Sequence, residues 1–191
     1  MTEKAAMRAQ LMAREAALDA EYLVRSDAGI APRLFALPEF EDARTVLFFY
    51  SVGHEPDTHL LIERALEIGK TVALPESRAN GIMVARRITS LGELVPGKYG
   101  IPAPTADMPE IAPEEFDFVV VPALAYDLGG YRLGRGGGYY DRYLPQTRAF
   151  KCGAARERMF FPRVAREEHD VRVNCVVTET KVWRFSRPKS E

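Results

Sequence analysis

A glycine-rich string flanked by arginines, Arg132–Asp141, is the segment with the clearest chemistry in this sequence. It reads Arg-Leu-Gly-Arg-Gly-Gly-Gly-Tyr-Tyr-Asp, with four glycines in five positions. Glycine lets the backbone adopt positive φ and approach a ligand closely. Consecutive backbone N–H groups in such a turn bind anions, and the guanidinium groups of Arg132 and Arg135 add positive charge. The string therefore predicts a phosphate site, with Asp141 as a carboxylate of the kind that binds metal ions.

The string matches neither of the two commonest phosphate-binding motifs. No Gly-Lys-Ser/Thr follows at the spacing of a Walker A loop, and Tyr139 stands where the dinucleotide fingerprint needs a glycine. A plain turn is the alternative interpretation, since glycine clusters also occur in turns. However, each glycine lowers the folding stability by about 0.5–1 kcal/mol through backbone entropy. A functional site is therefore favoured over a plain turn, and the combination of residue types indicates nucleotide chemistry.

Charged residues elsewhere could complete such a site. Lys4 and Arg8 are spaced i, i+4, so they share one helix face and could close over a polyphosphate. A solvated helix face is the alternative for this pair. Glu55 follows a strand-like apolar run, a position where α/β sheets place ligands. Asp170 could join Asp141 around Mg²⁺, which takes one or two carboxylates together with phosphate oxygens and water.

Three tyrosines follow the glycines. Tyr139, Tyr140 and Tyr143 have helical spacing, so at least one of them is expected in the core. A tyrosine next to the glycines could instead stack on a flat ring. The sequence shows no serine or cysteine with a partnered histidine in a form that suggests nucleophilic catalysis.

The charge of the chain is unevenly distributed. The 191 residues are 47% hydrophobic and carry a net charge of −1, which gives no reason to expect DNA or membrane binding. Residues 131–166 nevertheless hold nine Lys or Arg against two acidic residues, a net charge of +7, so the remainder carries −8. A positive third in a near-neutral protein is typical of a protein with an anionic small ligand.

Cysteine usage and the N-terminus predict a cytoplasmic protein. Cys152 and Cys175 lie in apolar, strand-like surroundings without metal-ligand spacing, as expected for two buried thiols in a reducing compartment. Residues 1–4 are charged and no apolar signal-peptide core follows them. No run of about 18 apolar residues is present, so no membrane span is expected.

Apolar periodicity predicts an α/β fold in a single domain over residues 1–191. We expect a three-layer sandwich with a mostly parallel central sheet and a long N-terminal helix, because the β–α–β unit between residues 45 and 74 requires a right-handed crossover. The expected helices cover residues 4–24, 29–37, 56–68 and 138–145. The expected strands cover residues 45–50, 71–74 (stopped by Pro75), 83–88, 118–121, 152–155, 174–178 and 182–185. Residues 96–113 contain five prolines and predict an irregular segment, and 186–191 a frayed tail.

Taken together, these motifs resemble the 5-formyltetrahydrofolate cyclo-ligase family, also called methenyltetrahydrofolate synthetases. The string that ends at Asp141 is the most specific part of the resemblance. The other matching segments run in order along the chain and are Lys4-x-x-x-Arg8, Glu55-Pro56-Asp57-Thr58, Gly69-Lys70, Leu74-Pro75, Gly100-Ile101-Pro102-x-Pro104, Val121-Pro122, His169-Asp170 and Thr178-Glu179.

The resemblance implies three kinds of ligand, namely ATP, a reduced folate and Mg²⁺. The residues that would hold ATP are Lys4, Arg8, Arg132, Leu133, Gly134, Arg135, Gly136, Gly137, Gly138, Tyr139 and Tyr140. Those that would contact the folate are Glu55, Met83, Arg135, Gly136, Gly137, Gly138 and Tyr139. Asp141 and Asp170 would bind the metal, and Arg135 and Tyr139 would be the catalytic residues.

The reaction implied by the resemblance is the ATP-dependent cyclisation of 5-formyltetrahydrofolate to 5,10-methenyltetrahydrofolate. The formyl oxygen is a poor leaving group, so the γ-phosphoryl group of ATP would be transferred to it before N10 attacks and phosphate departs. Phosphoryl transfer depends mostly on positioning and on neutralisation of charge. It would therefore use backbone N–H groups, Arg132, Arg135, Lys4 and Mg²⁺, without a protein nucleophile.

Two alternatives remain open at the level of sequence. The family usually has an aromatic residue and a glutamine after the strand at 151–155, whereas Ala155-Arg156-Glu157-Arg158-Met159 stands here. A diverged relative acting on another phosphorylated or acyl substrate is therefore one alternative. The other is a single-stranded nucleic-acid-binding module, since Arg, Gly and Tyr in 131–166 could grip single strands. We expect a monomer that binds a small molecule, without nucleic acid or membrane as a partner.

Overall fold

The structure, a computed structural model, describes residues 2–168 and 170–185. Its helices are α1 Glu3–Ala16, α2 Ala20–Phe35, α3 Pro38–Asp42, α4 His59–Glu67 and α5 Tyr139–Tyr143. Its strands are β1 Thr45–Leu47, β2 Thr71–Ser77, β3 Met83–Ile88, β4 Val95–Pro96, β5 Pro102–Ala103, β6 Glu110–Ile111, β7 Phe118–Val121, β8 Ala125–Asp127, β9 Arg132–Leu133, β10 Phe150–Ala154, β11 Phe160–Phe161, β12 Cys175–Val177 and β13 Val182–Arg184. His169 and the expected tail at 186–191 lie outside the described residues.

A large sheet with the strand order β13-β12-β10-β7-β1-β2-β3-β6 forms the centre of the fold. The four pairings from β12 to β2 are parallel, and the three pairings at the two edges are antiparallel. All four residues of β7 are buried. This arrangement confirms the α/β fold with a mostly parallel sheet, since a strand covered on both faces is an unbroken apolar run.

Packing on the two faces of the sheet produces the predicted three layers. Successive strand residues point to opposite faces, so Phe118 and Val120 join the core formed with α2, α3 and α4, and Val119 and Val121 join the opposite core. Tyr143 of α5 belongs to that second core. Helix α1 packs through Leu11 on the small sheet of β11, β8 and β9.

The N-terminal helix differs from its prediction. One helix over 4–24 and another over 29–37 were expected. Instead the first helix ends before residues 17–19, and α2 then continues through Gly29 and Pro32. Asp19 begins α2 because its carboxylate accepts the N–H of Tyr22 at 2.8 Å, which is a strong N-cap signal. Gly29 is needed inside the helix because a Cβ there would lie 2.7 Å from Glu179.

The strand at 71–74 is also longer than predicted, because Pro75 does not end it. Strand β2 continues to Ser77, and Pro75 pairs with Ala85 of β3. The neighbour on the other side, β1, ends at Leu47 opposite Ala73, so no ladder hydrogen bond is lost there. Proline is tolerated in a strand where its missing N–H has no partner to serve.

The irregular segment and the cysteines follow the sequence closely. Residues 96–113 contain the two-residue strands β5 and β6, the end of β4 and a 3-10 turn at Lys98–Gly100, and β6 adds an edge to the large sheet. Cys152 and Cys175 are buried free thiols that face each other in register on β10 and β12. No helix within 2–168 and 170–185 is long and apolar enough to cross a membrane.

Gly153 of β10 provides a test of this packing. A Cβ at this position would lie 2.5 Å from the ring of Tyr126, which is fully buried and donates its hydroxyl proton to the Val121 carbonyl at 2.6 Å. Because the ring cannot move away, we expect Gly153→Ala to lower the free energy of unfolding by about 1–3 kcal/mol in urea denaturation. Gly92→Ala is the matched control, since its nearest contact is 3.6 Å away. Equal stabilities of the two variants would contradict the prediction.

Candidate active site

A cavity of about 800 Å³ opens at the carboxyl ends of the parallel strands β1 and β7. Phe49 and Tyr50 follow β1, and Pro122 and Ala123 follow β7; all four residues line the cavity. Adjacent parallel strands end at the same edge of a sheet, which is where open α/β sheets place ligands. The volume lies within the range of small-molecule sites.

Every residue that the sequence predicts for the site lines this one cavity. These residues are Lys4, Arg8, Glu55, Met83, Asp170 and all ten residues from Arg132 to Asp141. They come from α1, from the segment after β1, from the first residue of β3, from the glycine string, and from the loop before β12. The structure thus brings them together, while their individual roles stay predictions.

Backbone geometry explains the glycines in the string. Gly136 and Gly138 have φ values of 100° and 68°, a region that side chains rarely adopt. At Gly137 a Cβ would lie 2.8 Å from the Tyr139 ring. Three consecutive positions therefore require glycine, and Gly138 leads directly into α5.

The glycine loop spans the cavity between α1 and the β2–β3 hairpin. On the α1 side, the Nε of Arg8 donates to the Gly134 carbonyl at 2.8 Å. On the hairpin side, Arg142 donates from Nη1 to the carbonyls of Gly137 and Gly81, at 3.2 and 3.3 Å. The loop is therefore attached to two separate walls of the site.

Arg135 joins the loop to two carboxylates from distant parts of the chain. Its Nε donates to Glu55 Oε1 at 3.1 Å, and its Nη2 lies 3.0 Å from both carboxylate oxygens of Glu15. Burial disfavours the charged guanidinium, but the charges of Glu55 and Glu15 outweigh this effect and raise the pKa of Arg135. Glu55 is held in turn, because its Oε2 accepts the N–H of Val52 at 2.9 Å.

A second ion pair joins the two ends of the string. Arg132 is buried, and its Nη2 lies 2.6 Å from Oδ1 of Asp141. The same guanidinium donates from Nη1 to the Val171 carbonyl at 3.0 Å. Asp141 is therefore oriented at the cavity wall, with about a third of its side chain exposed.

Lys4 points into the cavity instead of into solvent. Its Nζ lies 2.9 Å from Glu167 and 2.8 Å from Asp170. Burial opposes the charge on Lys4, but the hydrogen bonds to Asp170 and Glu167 have the larger combined effect and raise its pKa. The alternative of a solvated helix face is wrong for Lys4 and for Arg8, since both line the cavity.

The carboxylates at the cavity have the donor chemistry that magnesium prefers. Asp141 and Asp170 both line it and offer oxygen ligands. Among the residues that the structure describes, no three His, Cys, Asp or Glu side chains form a metal cluster. A full protein cage is not needed, however, because Mg²⁺ is usually bound by one or two carboxylates plus substrate phosphates and water. These residues therefore fit a metal that arrives with a phosphate ligand.

The three tyrosines have different environments. Tyr143 is the predicted core residue, whereas Tyr139 lines the cavity and its hydroxyl accepts a hydrogen bond from Lys98 Nζ at 2.7 Å. The hydroxyl of Tyr140 is buried without a hydrogen-bond partner in the described part of the chain. Burial, followed by the charge of Glu55, raises the pKa of Tyr140 well above its ordinary value. The Tyr140 hydroxyl is therefore a neutral group that lies inside the protein next to the cavity wall.

Several lining residues were not predicted from the sequence. Phe49, Tyr50, Lys98 and Tyr99 belong to the cavity wall, and Glu15 lies behind Arg135. Phe49 and Tyr50 were assigned to the strand 45–50, which in fact ends at Leu47. Nothing in the sequence marks Tyr99 as a lining residue. In the structure it has a φ of 61° and is largely exposed.

Residues 54–58 lead into α4, and the sequence predicts a helix cap at Asp57 or Thr58. Asp57 Oδ1 accepts the N–H of His59 at 2.9 Å, which confirms a capping role for Asp57. Thr58 instead uses its hydroxyl to donate to the Phe49 carbonyl at 2.7 Å and to accept the N–H of Ser51 at 3.0 Å. These bonds hold the segment after β1 against the start of α4.

Comparisons with known proteins agree with this geometry. A sequence model of the 5-formyltetrahydrofolate cyclo-ligase family matches residues 1–179. The 5-formyltetrahydrofolate cyclo-ligase of Escherichia coli (strain K12) is 33% identical over 178 residues, which cover 90% of this chain and 98% of that protein. The enzyme of the same name from Mycolicibacterium smegmatis is 36% identical over 142 residues, covering 71% of this chain and 73% of that protein.

A solved structure has the same fold. The NMR structure of Aquifex aeolicus 5,10-methenyltetrahydrofolate synthetase matches with a TM-score of 0.87 and 32% sequence identity, over 100% of this chain and 96% of that one. The fold, the near-complete family match and the relatives above 30% identity agree with one another. This chain is therefore a member of the 5-formyltetrahydrofolate cyclo-ligase family of enzymes.

Proposed function

We propose that this protein catalyses the ATP- and magnesium-dependent cyclisation of 5-formyltetrahydrofolate to 5,10-methenyltetrahydrofolate, with release of ADP and phosphate. The observation that carries the proposal is the glycine loop, which spans one cavity between a charged wall on α1 and the wall that holds Met83. Two ligands that must react with each other need adjoining sites of this kind. Family membership supports the same reaction.

The charged wall is suited to the phosphates of ATP. The loop from Gly134 to Gly138 offers backbone N–H groups, and Lys4, Arg8 and Arg132 lie beside it. Arginine binds phosphate through paired N–H groups, and lysine acts as a point charge. Asp141 and Asp170 would hold Mg²⁺, which when bound supplies positive charge to the phosphates.

The opposite wall is suited to a flat, partly apolar ring. Met83 is buried at the cavity edge, and Tyr50, Tyr99 and Ile101 line the same space. Aromatic rings pack favourably by offset stacking or edge-to-face contact. Glu55 adds an acidic group to the lining of the cavity, and it is fixed by its bonds to Val52 and Arg135.

The chemistry proceeds by activation of the formyl oxygen. The γ-phosphoryl group is transferred to that oxygen and the bond to ADP breaks. N10 then attacks the activated carbon and loses its proton, and the C–O bond breaks to release phosphate, which takes up that proton. Arg135 lies in the loop and Tyr139 begins α5, and both line the cavity, where they can stabilise the charge on the transferred group and orient it. No protein nucleophile is required, because positioning and charge account for this class of reaction.

Water must be kept from the activated intermediate. Lys98, Tyr99, Ile101, Pro102 and Ala103 line the cavity from the irregular segment after β4. Lys98 is attached to the start of α5 through its hydrogen bond to Tyr139. In the proposed reaction this segment would keep water from the intermediate and so limit hydrolysis.

The structure favours a small ligand over a nucleic acid strand. Arg132 and Arg135 lie at a cavity wall and are ion-paired with carboxylates, whereas a single-strand binder needs a groove that tracks the backbone. A diverged relative with another substrate remains the alternative. The cytoplasmic location, the monomeric state and the single-domain organisation stay predictions from the sequence.

The direct test is a coupled measurement of both products. Purified protein with ATP, MgCl₂ and 5-formyltetrahydrofolate should develop the methenyl absorbance and release ADP in equal amounts, because each ring closure consumes one γ-phosphoryl group. Reactions that lack ATP or MgCl₂ are the controls. Absence of both products from folded protein would refute the proposal. ADP release without the methenyl absorbance would indicate the diverged relative.

The metal assignment predicts a change in magnesium requirement for Asp141→Asn. The variant keeps the size of the side chain but removes its charge, so the apparent magnesium affinity should fall at least about tenfold, the lower bound for residues that only support a ligand. Asp42→Asn is the control, because Asp42 is exposed on α3 outside the cavity. The measurement is the rate as a function of MgCl₂ at saturating ATP. An unchanged magnesium requirement in a folded variant would remove Asp141 from the metal site.

A further inference from the structure

Arg156 is a buried cation outside the cavity. It follows β10, only 3% of its surface is exposed, and it is not among the residues that line the site. A charged side chain at this depth is stable only when it is paired and its hydrogen bonds are satisfied. Its partners therefore indicate what it does in the fold.

The guanidinium of Arg156 is saturated with acceptors from two elements. From α2, Nη1 bonds to the Leu23 carbonyl at 3.1 Å and to the hydroxyl of Ser26. From the segment after β1, Nε bonds to the His54 carbonyl at 2.9 Å and Nη2 to the Glu55 carbonyl at 2.8 Å. Arginine is suited to this arrangement because its five donors are fixed in one plane, whereas lysine has three donors on a single nitrogen.

Asp27 of α2 completes the arrangement. Its Oδ1 lies 2.9 Å from Nη1 of Arg156 and accepts the backbone N–H of Asp57 at 3.0 Å. The pair therefore binds the segment His54–Asp57 through both of its backbone group types: Arg156 takes two carbonyls and Asp27 takes an N–H. Helix α2 acts as the fixed support for both side chains.

The segment held in this way carries the carboxylate that pairs with the glycine loop. Glu55 presents its backbone carbonyl to Arg156 and its side chain to Arg135 at 3.1 Å. We infer that Arg156, together with Asp27, is a positioning residue for the site. It sets the location of Glu55 and, through Glu55, the orientation of Arg135.

This inference gives residues 155–159 a role different from substrate selection. Arg156 reaches the site only through the backbone of His54 and Glu55. Its replacement should therefore loosen the hydrogen bond between Glu55 and Arg135. The kinetic part of the inference rests on the proposed function. The hydrogen bonding of the Arg135 guanidinium can be measured without turnover, so the positioning role of Arg156 and the proposed function can fail separately.

The kinetic test uses Arg156→Lys, which keeps the charge but cannot reach both carbonyls and Asp27 together. We expect kcat/KM for 5-formyltetrahydrofolate to fall at least about tenfold, since a displacement of about 1 Å can cost a hundredfold. Arg158→Lys is the matched control. Arg158 is exposed on the same segment and pairs with Asp19 at 3.2 Å, away from the cavity.

A double-mutant cycle distinguishes positioning from a general loss of stability. If Arg156 acts through Glu55, adding Arg156→Lys to Glu55→Gln should lower kcat/KM by less than about twofold further. A structural role alone would make the two losses multiply. Multiplying losses, or an Arg156→Lys variant that matches the control, would overturn the inference.

The independent readout is the Nε–H signal of Arg135 in ¹⁵N NMR, assigned by its loss in Arg135→Lys. We expect solvent exchange of this proton to accelerate at least about tenfold in Arg156→Lys, because the bond to Glu55 loosens. Unchanged exchange would overturn the inference, even if the wild type showed no cyclo-ligase activity. If Arg156→Lys fails to fold, Asp27→Asn is measured in its place with the same expected results.

Discussion

The pairing of Arg135 with Glu15 and Glu55 is the interaction on which the site depends most. Glycine residues have no side chains with which to pack, and they lose the most conformational freedom on folding. The loop from Gly134 to Gly138 therefore cannot define its own shape. Its geometry comes from contacts with α1 and with the segment after β1, which are separated from it by 80 residues or more in sequence.

The large sheet supplies the rigidity that these contacts need. Strands β1 and β7 are adjacent and buried on both faces, so the segments that leave their carboxyl ends start from fixed points. A partly exposed ion pair contributes little stability by itself. A pair whose two partners are already anchored loses less side-chain entropy, and Glu55 and Arg135 are both anchored by further hydrogen bonds or ion pairs.

Local patterns in the sequence were enough to predict the central strands and the glycine loop, and Met83 of the cavity lining came from the family resemblance. A run such as Phe118–Val121 or the string around Gly136 expresses its structure within a few residues. Two of the errors involve distant partners. A gap was expected before Gly29 and a strand end at Pro75, because nothing in the local sequence shows the close approach of Glu179 to Gly29 or the early end of β1.

Arg156 shows the same limit for function. In the sequence it is part of a segment that departs from the family pattern, which suggested a change at the substrate end. In the fold it lies behind the cavity and contacts the backbone of His54 and Glu55. Only tertiary structure places the end of β10 against this segment, so the residue type alone could not distinguish a ligand contact from a support.

Ion pairs within the cavity link the residues proposed to bind the metal with those proposed to bind the nucleotide. Each carboxylate assigned to Mg²⁺ is paired with a cation assigned to phosphate: Asp141 with Arg132, and Asp170 with Lys4. Removing one partner from such a buried pair would leave an uncompensated charge, which is costly. In the proposed reaction a metal and a triphosphate that arrive together replace both partners at once, since the carboxylates exchange cations and the cations exchange anions. On the proposed function, these ion pairs would favour the joint binding of metal and nucleotide over the binding of either one separately.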